Sequence, residues 1–271
     1  MTPPLMVENL EKRFPPAFSG WRAMLQPFVA PTVRALAGVS FRVAAGESVA
    51  LVGANGAGKS TLLRILSTLL LPTAGRALVA GCDVALDPAG VRKQIGLHSG
   101  GDGGFYTRLS AHDNLRFFAT LNNLTGSEAG ERIARVMDLM GLGAVRDHQV
   151  RTFSTGTVHR LGLARALLHA PTVLLLDEPT RSLDPMAAAE FRRFVRSEVV
   201  RSRGVALLFA THSLEDVEDL ADRMAILHAG RLLACDTPER LLAATQSSTL
   251  DQALKHLLKS AGAAAEAGEQ R

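Results

Sequence analysis

The stretch SVALVGANGAGKSTLLRIL, Ser48 to Leu66, decides how the rest of the chain is read. An apolar, strand-like run enters GANGAGKS, Gly53 to Ser60, and an apolar helical pattern leaves it. The segment has the spacing G-x-x-x-x-G-K-[ST], and both of its flanks are the ones that spacing requires. Gly53, Gly56 and Gly58, with Ala54, Asn55 and Ala57 between them, let backbone N–H groups wrap phosphates with no bulky side chain in the way. Lys59 offers a point charge to the outer phosphates and Ser60 a hydroxyl to Mg²⁺, and Thr61 follows as the last binding residue of the segment. The expected ligand is therefore a nucleoside triphosphate with its metal.

A second site for phosphate chemistry lies further on. VLLLDEP, Val173 to Pro179, is a continuous apolar run, as in a strand buried on both faces of a parallel sheet, and it delivers two carboxylates at its end. Asp177 is placed to hold Mg²⁺, directly or through water, and Glu178 to polarise the water that attacks the γ-phosphate. VALLFATH, Val205 to His212, reads as another buried strand. FSTGTVHRLGLARALL, Phe153 to Leu168, sets small hydroxyl residues and a glycine ahead of a helix, a second end suited to an anion.

Strands alternating with helices in the second half argue for an α/β core. The front, from PLMVENLEKRF through TAGRALVAGCDV, reads as strand-rich, an antiparallel layer. Residues from about Gly104 to His169 are mainly helical in pattern and read as an inserted helical subdomain. One nucleotide-binding domain over residues 1–245 is expected, followed by a C-terminal tail over 246–271 whose end, SAGAAAEAGEQR, is low in complexity and reads as frayed or weakly helical. Apolar residues make up 47% and charged residues 21%, which excludes a mostly disordered chain. No apolar run reaches the roughly 18 residues that span a membrane, and MTPPLMVENLEKRF lacks the apolar region of a signal peptide. Cys82 and Cys235 form no metal or redox motif and read as buried or half-buried thiols. The densest basic stretch, RRFVRSEVVRSR from Arg192, reads as a solvated helix face, so no nucleic-acid partner is expected.

Taken in order, the phosphate loop, the stretch at Phe153, LLLDEPTRSLD and FATH resemble the ATP-binding cassette (ABC) ATPases over nearly the whole chain. The resemblance implies a phosphate-loop core with an antiparallel β subdomain and an inserted helical subdomain, binding ATP and Mg²⁺. It implies that Ser154 and Gly156 belong to the signature segment, which grips the γ-phosphate of the ATP held by a second cassette, here another copy of the chain. Thr155 replaces a usual glycine, and Thr157 and His159 stand where longer amides are common. His212 matches the switch histidine at the γ-phosphate. Ser182, Leu183 and Asp184 resemble the loop that communicates across the dimer, and Phe14 sits where an aromatic stacks on adenine.

Two departures stand out. IGLHSGGDGGFYTRLSAHDNL puts Gly100 where the family has a glutamine, with Ser99 or Asp102 or a water left to fill the gap, and Gln94 falls too early to substitute. An insertion, Pro15 to Val33, carries Trp21, Met24, Leu25 and Phe28 at near-helical spacing and offers a packing helix or a contact with a membrane subunit or the bilayer surface. The glycine-rich form around Gly100 resembles bacterial exporters of drugs, antibiotics, polysaccharides or teichoic acids. Their cassettes sit peripherally at the cytoplasmic face of the cell membrane on a separate permease subunit. The alternatives are an importer cassette, a cassette acting in translation or on DNA, and an unrelated phosphate-loop protein such as a GTPase. The last is disfavoured by the signature segment and by the absence of an N-K-x-D motif.

Overall fold

The computed structural model describes residues 2–15, 32–100 and 104–269, the last eight of these by backbone alone. The insertion's residues 16–31 and Asp102 lie outside the described residues.

Five-residue apolar runs are too short for helices, and they pair into a sheet whose order explains the site. Strands β3 (Ser48–Val52), β6 (Ile95–Ser99), β7 (Val173–Asp177), β8 (Ala206–Ala210), β9 (Arg223–His228) and β10 (Arg231–Asp236) form one sheet in the order β10-β9-β3-β8-β7-β6. All neighbours in it are parallel except the hairpin β9–β10. Each central strand is buried on both faces: Ala50, Leu174, Leu176, Leu207 and Phe209 join one core, and Val49, Leu51, Val173, Leu175 and Leu208 the other.

The second core is closed by a four-stranded antiparallel sheet, β2-β1-β4-β5, from β1 (Leu5–Phe14), β2 (Val33–Val43), β4 (Ala74–Val79) and β5 (Cys82–Asp83). Helix α1 (Lys59–Leu66) lies between the two sheets with Leu62, Leu63, Ile65 and Leu66 buried. Helix α2 (Pro88–Gln94) leads into β6. The first core is covered by α3 (Ala111–Leu121), α4 (Gly126–Leu139) and α5 (Thr155–Leu167), and by α6 (Pro185–Phe194) with its π-helical continuation Val195–Arg201. Helix α7 (Leu214–Leu220) precedes β9, and α8 (Pro238–Thr245) and α9 (Leu250–Glu269) end the described chain. The first part of α9 packs on this core through Leu250, Leu254 and Leu257, and Ala253 beside them is also buried.

In register, Leu51 pairs with Ala210, Ala210 with Asp177, and Asp177 with Ser99. The four strands therefore stop in one row, and the segments that follow them share one rim at the carboxyl ends of the sheet, where ligands of open α/β folds bind.

Candidate nucleotide site

Along that rim, β3 releases the glycine loop, β8 releases Thr211 and His212, β7 releases Glu178, and β6 releases Gly100. Asn55, Gly56, Gly58, Lys59, Ser60, Thr61, Asp177 and Glu178 line a single cleft of about 660 Å³, together with Ser99, Gly100, Arg181 and Ser182. Gly58 has φ +109°, and a Cβ there would lie 2.6 Å from the Ala35 carbonyl, so the loop closes only around glycine. Neither α1 nor α4 has a side-chain cap, whereas α2, α3, α5, α6, α7 and α8 are capped by a side-chain oxygen. Of the two uncapped starts only that of α1 opens on the cleft. The first N–H groups of α1 are thus left to an anion. Lys59 is 8% exposed and its ammonium donates to the carbonyls of Gly53 at 2.6 Å and Ala54 at 3.2 Å. Burial lowers its pKa, and the charges of Glu178 and Asp177 oppose that shift.

Glu178 and His212 meet directly, with His212 Nδ1 2.6 Å from Glu178 Oε2. Glu178 sits at φ +51°, an uncommon conformation for a residue with a side chain, and its N–H donates to the Ala210 carbonyl at 2.9 Å. The Gly100 N–H donates to the Asp177 carbonyl at 3.0 Å, and a Cβ on Gly100 would come within 2.3 Å of the Glu178 carbonyl. The glutamine expected at this position has no room on this backbone. Putting one there would displace Glu178 rather than restore a lost side chain. Ser99, paired with Asp177, is the neighbour that lines the cleft.

Ser154 and Gly156 stand apart from these groups. They line a larger cavity of about 1000 Å³ with Thr155, Thr157, Ser182 and Asp184, and Ser182 is the residue common to both spaces. Ser154 caps α5 by accepting from the Thr157 N–H at 3.3 Å, and its hydroxyl lies 2.9 Å from that of Thr157. Ser182 donates to the Gly100 carbonyl at 3.3 Å, and Asp184 caps α6 through the N–H groups of Met186 and Ala187. His159, on the next turn of α5, is 2% exposed; burial lowers its pKa, opposed by the nearby carbonyls of Gly100 and Pro179. Phe14 is not among the cleft-lining residues. It ends β1 opposite Val33, with the Lys12 ammonium 5.1 Å from its ring centre.

Within the basic stretch Arg193, Arg201 and Arg203 are exposed on a helix, as expected, and Arg192 is the exception. Arg192 is 6% exposed, with Nε 2.7 Å from Asp219 Oδ2 and Nη1 3.3 Å from Asp216 Oδ1. Nothing local marks it, because its partners lie more than twenty residues further along the chain.

A family model described as ABC transporter matches residues 36–181, more than half of the chain. The chain belongs to the ABC transporter family. The ABC transporter ATP-binding protein NatA of Bacillus subtilis (strain 168) is 35% identical over 219 residues, covering 81% of this chain and 88% of that protein. The daunorubicin resistance ATP-binding protein DrrA3 of Streptomyces coeruleorubidus is 40% identical over 222 residues, covering 82% of this chain and 69% of that one. Among solved structures, cbiO1 from Clostridium perfringens, part of the ABC transporter complex cbiONQ, superposes with a TM-score of 0.74 at 26% identity. It covers 89% of this chain and 90% of its own. This ABC cassette is an ATP-binding subunit and an ATPase. Among the described residues, no helix is long and apolar enough to cross a membrane.

Proposed function

We propose that two copies of this cassette, arranged head to tail, sandwich two ATP molecules and hydrolyse them to drive export through a separate membrane subunit. The observation that carries the reading is the contact of Glu178 with His212 on the same rim as Lys59 and the uncapped start of α1. In this account the loop Gly53–Thr61 holds the phosphates, Lys59 turns from its own carbonyls to the outer oxygens, and Glu178 draws a proton from the attacking water. His212 orients the γ-phosphate and keeps Glu178 in place. Ser154 and Gly156 serve the ATP of the facing copy from the N-terminus of α5.

The residues fit Mg²⁺. Ser60 and Asp177 line one cleft, and among the described residues no set of three His, Cys, Asp or Glu forms a cage. That suits an ion held by a hydroxyl, one carboxylate and the nucleotide's own phosphates. When bound, the ion would neutralise charge on those phosphates. Phe14 is proposed as the adenine platform, because its partner Val33 is two residues before Ala35, whose carbonyl abuts Gly58.

Export is favoured by relatives named for drug resistance, including DrrA3 and the linearmycin resistance protein LnrL of Bacillus subtilis, over importer, ribosome-bound or DNA-bound roles. For the membrane subunit we propose the exposed apolar patch of Tyr106, Leu109, Phe117 and Leu121 on and before α3. It is continuous in sequence with Gly100 at the catalytic rim. The fully buried Asn114 pins it, accepting from the Tyr106 N–H at 2.9 Å and donating to the Tyr106 and Ser110 carbonyls.

Replacing Glu178 by Gln tests the chemistry. ATPase turnover should fall by about 10² or more while ATP binding persists and a nucleotide-loaded dimer accumulates on a sizing column. Turnover at the parent rate would remove Glu178 from the reaction.

A further inference from the structure

Behind the Glu178–His212 contact lies a buried carboxylate that the motifs do not include. Asp216, on the first turn of α7, is 1% exposed. It accepts from Thr180 Oγ1 through both oxygens, at 2.9 and 2.8 Å, from Thr211 Oγ1 at 2.8 Å, and from Arg192 Nη1 at 3.3 Å. Thr180 is two residues after Glu178, and Thr211 is the residue before His212. One carboxylate therefore ties together the two segments whose side chains meet at 2.6 Å. Arg192 holds the carboxylate from behind and is itself fixed by Asp219 at 2.7 Å and Glu215 at 3.6 Å.

A purely local role is the obvious rival, since Asp216 stands where a helix-capping acid reaches back to the backbone. The hydrogen bonds do not follow that pattern. Ser213 Oγ accepts from the Asp216 N–H at 3.3 Å, but the Ser213 N–H goes to Thr211 Oγ1 at 3.1 Å and not to the Asp216 carboxylate. Stability alone is a poor reason for the arrangement, because a buried ion pair is often matched or bettered by apolar residues of similar volume. What the pair supplies is direction: two hydroxyls from two strand ends converge on one acceptor.

We propose that Asp216, anchored by Arg192, is a positioning residue for ATP hydrolysis. Through Thr180 and Thr211 it holds Glu178 in its left-handed conformation and in register with His212. The inference rests on the reading of Glu178 and His212 given above.

The test is made on the full chain with Thr180→Val and Thr211→Val, singly and together. Each deletes one hydroxyl at nearly constant shape and leaves the Arg192–Asp216 pair in place. In the double variant kcat for ATP should fall about tenfold or more, a loss typical of misplaced groups, while the Kd of a fluorescent ATP analogue stays within about twofold. Serine at both positions, which restores the hydroxyls, should restore kcat. A kcat within about twofold of the parent, an equal loss in kcat and binding, or failure of the serines to rescue would each overturn the proposal. Should the double variant not fold, Thr180→Val alone, at a half-buried position, carries the same outcomes. A parent chain that binds ATP without hydrolysing it would overturn the reading of the site, and this inference with it.

Discussion

Glu178 is in a backbone conformation that its side chain disfavours, and the residues around it explain why it stays there. Its N–H is bound to Ala210, its carbonyl faces a glycine with no Cβ, and its carboxylate meets His212. Lys59, Asp177, Glu178 and His212 were legible because each belongs to a short motif whose chemistry depends on neighbours in sequence. Asp216 and Arg192 were not, since burial and partners far along the chain define them. Gly100 was visible as a departure, but its cause, the close approach of the Glu178 carbonyl, needed coordinates. His98 likewise needed coordinates: it is 1% exposed on β6, and neither of its ring nitrogens has a hydrogen-bond partner among the described residues. Burial, then the neighbouring His159 and Arg165, lowers its pKa from 6.5 to about 3. His98 is thus neutral in the fold, and the unfolded chain binds the extra proton between those two values, so stability falls as pH drops through that window. In His98→Met the slope of unfolding free energy against pH should be smaller than in the parent by roughly 1.4 kcal/mol per unit between about pH 6 and 4. Urea melts across that range measure it, and parallel slopes would show that His98 carries no such penalty.

In the proposed site two helix starts divide the phosphate work. Helix α1 begins at Gly58 with no side-chain cap, and α5 begins at Ser154, which caps its own third residue. Both were legible, because glycine spacing and a serine before a helical run are local signals. The hairpin β9–β10 and the short α2 leave no clear signal in the sequence, and the stretch Val195–Arg201 reads as helix without its π step. A hairpin whose second strand is only half-buried, and a helix that changes its hydrogen-bond step, leave weak periodicity. Helix α3 has an outward apolar edge, with Leu121 62% exposed and Phe117 against Tyr106 at 5.0 Å between ring centres. Leu121→Asp should leave the ATPase rate of the isolated cassette unchanged and weaken its recovery with the membrane subunit on co-purification. Intact co-purification would move the permease contact off this patch.

Across the whole molecule the four strand ends gather the loop, His212, Glu178 and Gly100 on one rim, while Ser154 and Gly156 open into a different space. Ser182 borders both spaces and donates to the Gly100 carbonyl, so in the proposed dimer it joins a cassette's own nucleotide cleft to the surface facing its companion. Because Ser154 and Gly156 line a space separate from the phosphate loop, the proposed function has them complete another copy's site. Mixing two inactive variants, Lys59→Ala and Ser154→Ala, tests this most directly. In a mixed pair one site combines the intact Lys59 of one chain with the intact Ser154 of the other. ATPase activity should therefore reappear on mixing, although each variant alone is inactive. A mixture as inactive as its components would contradict the shared site.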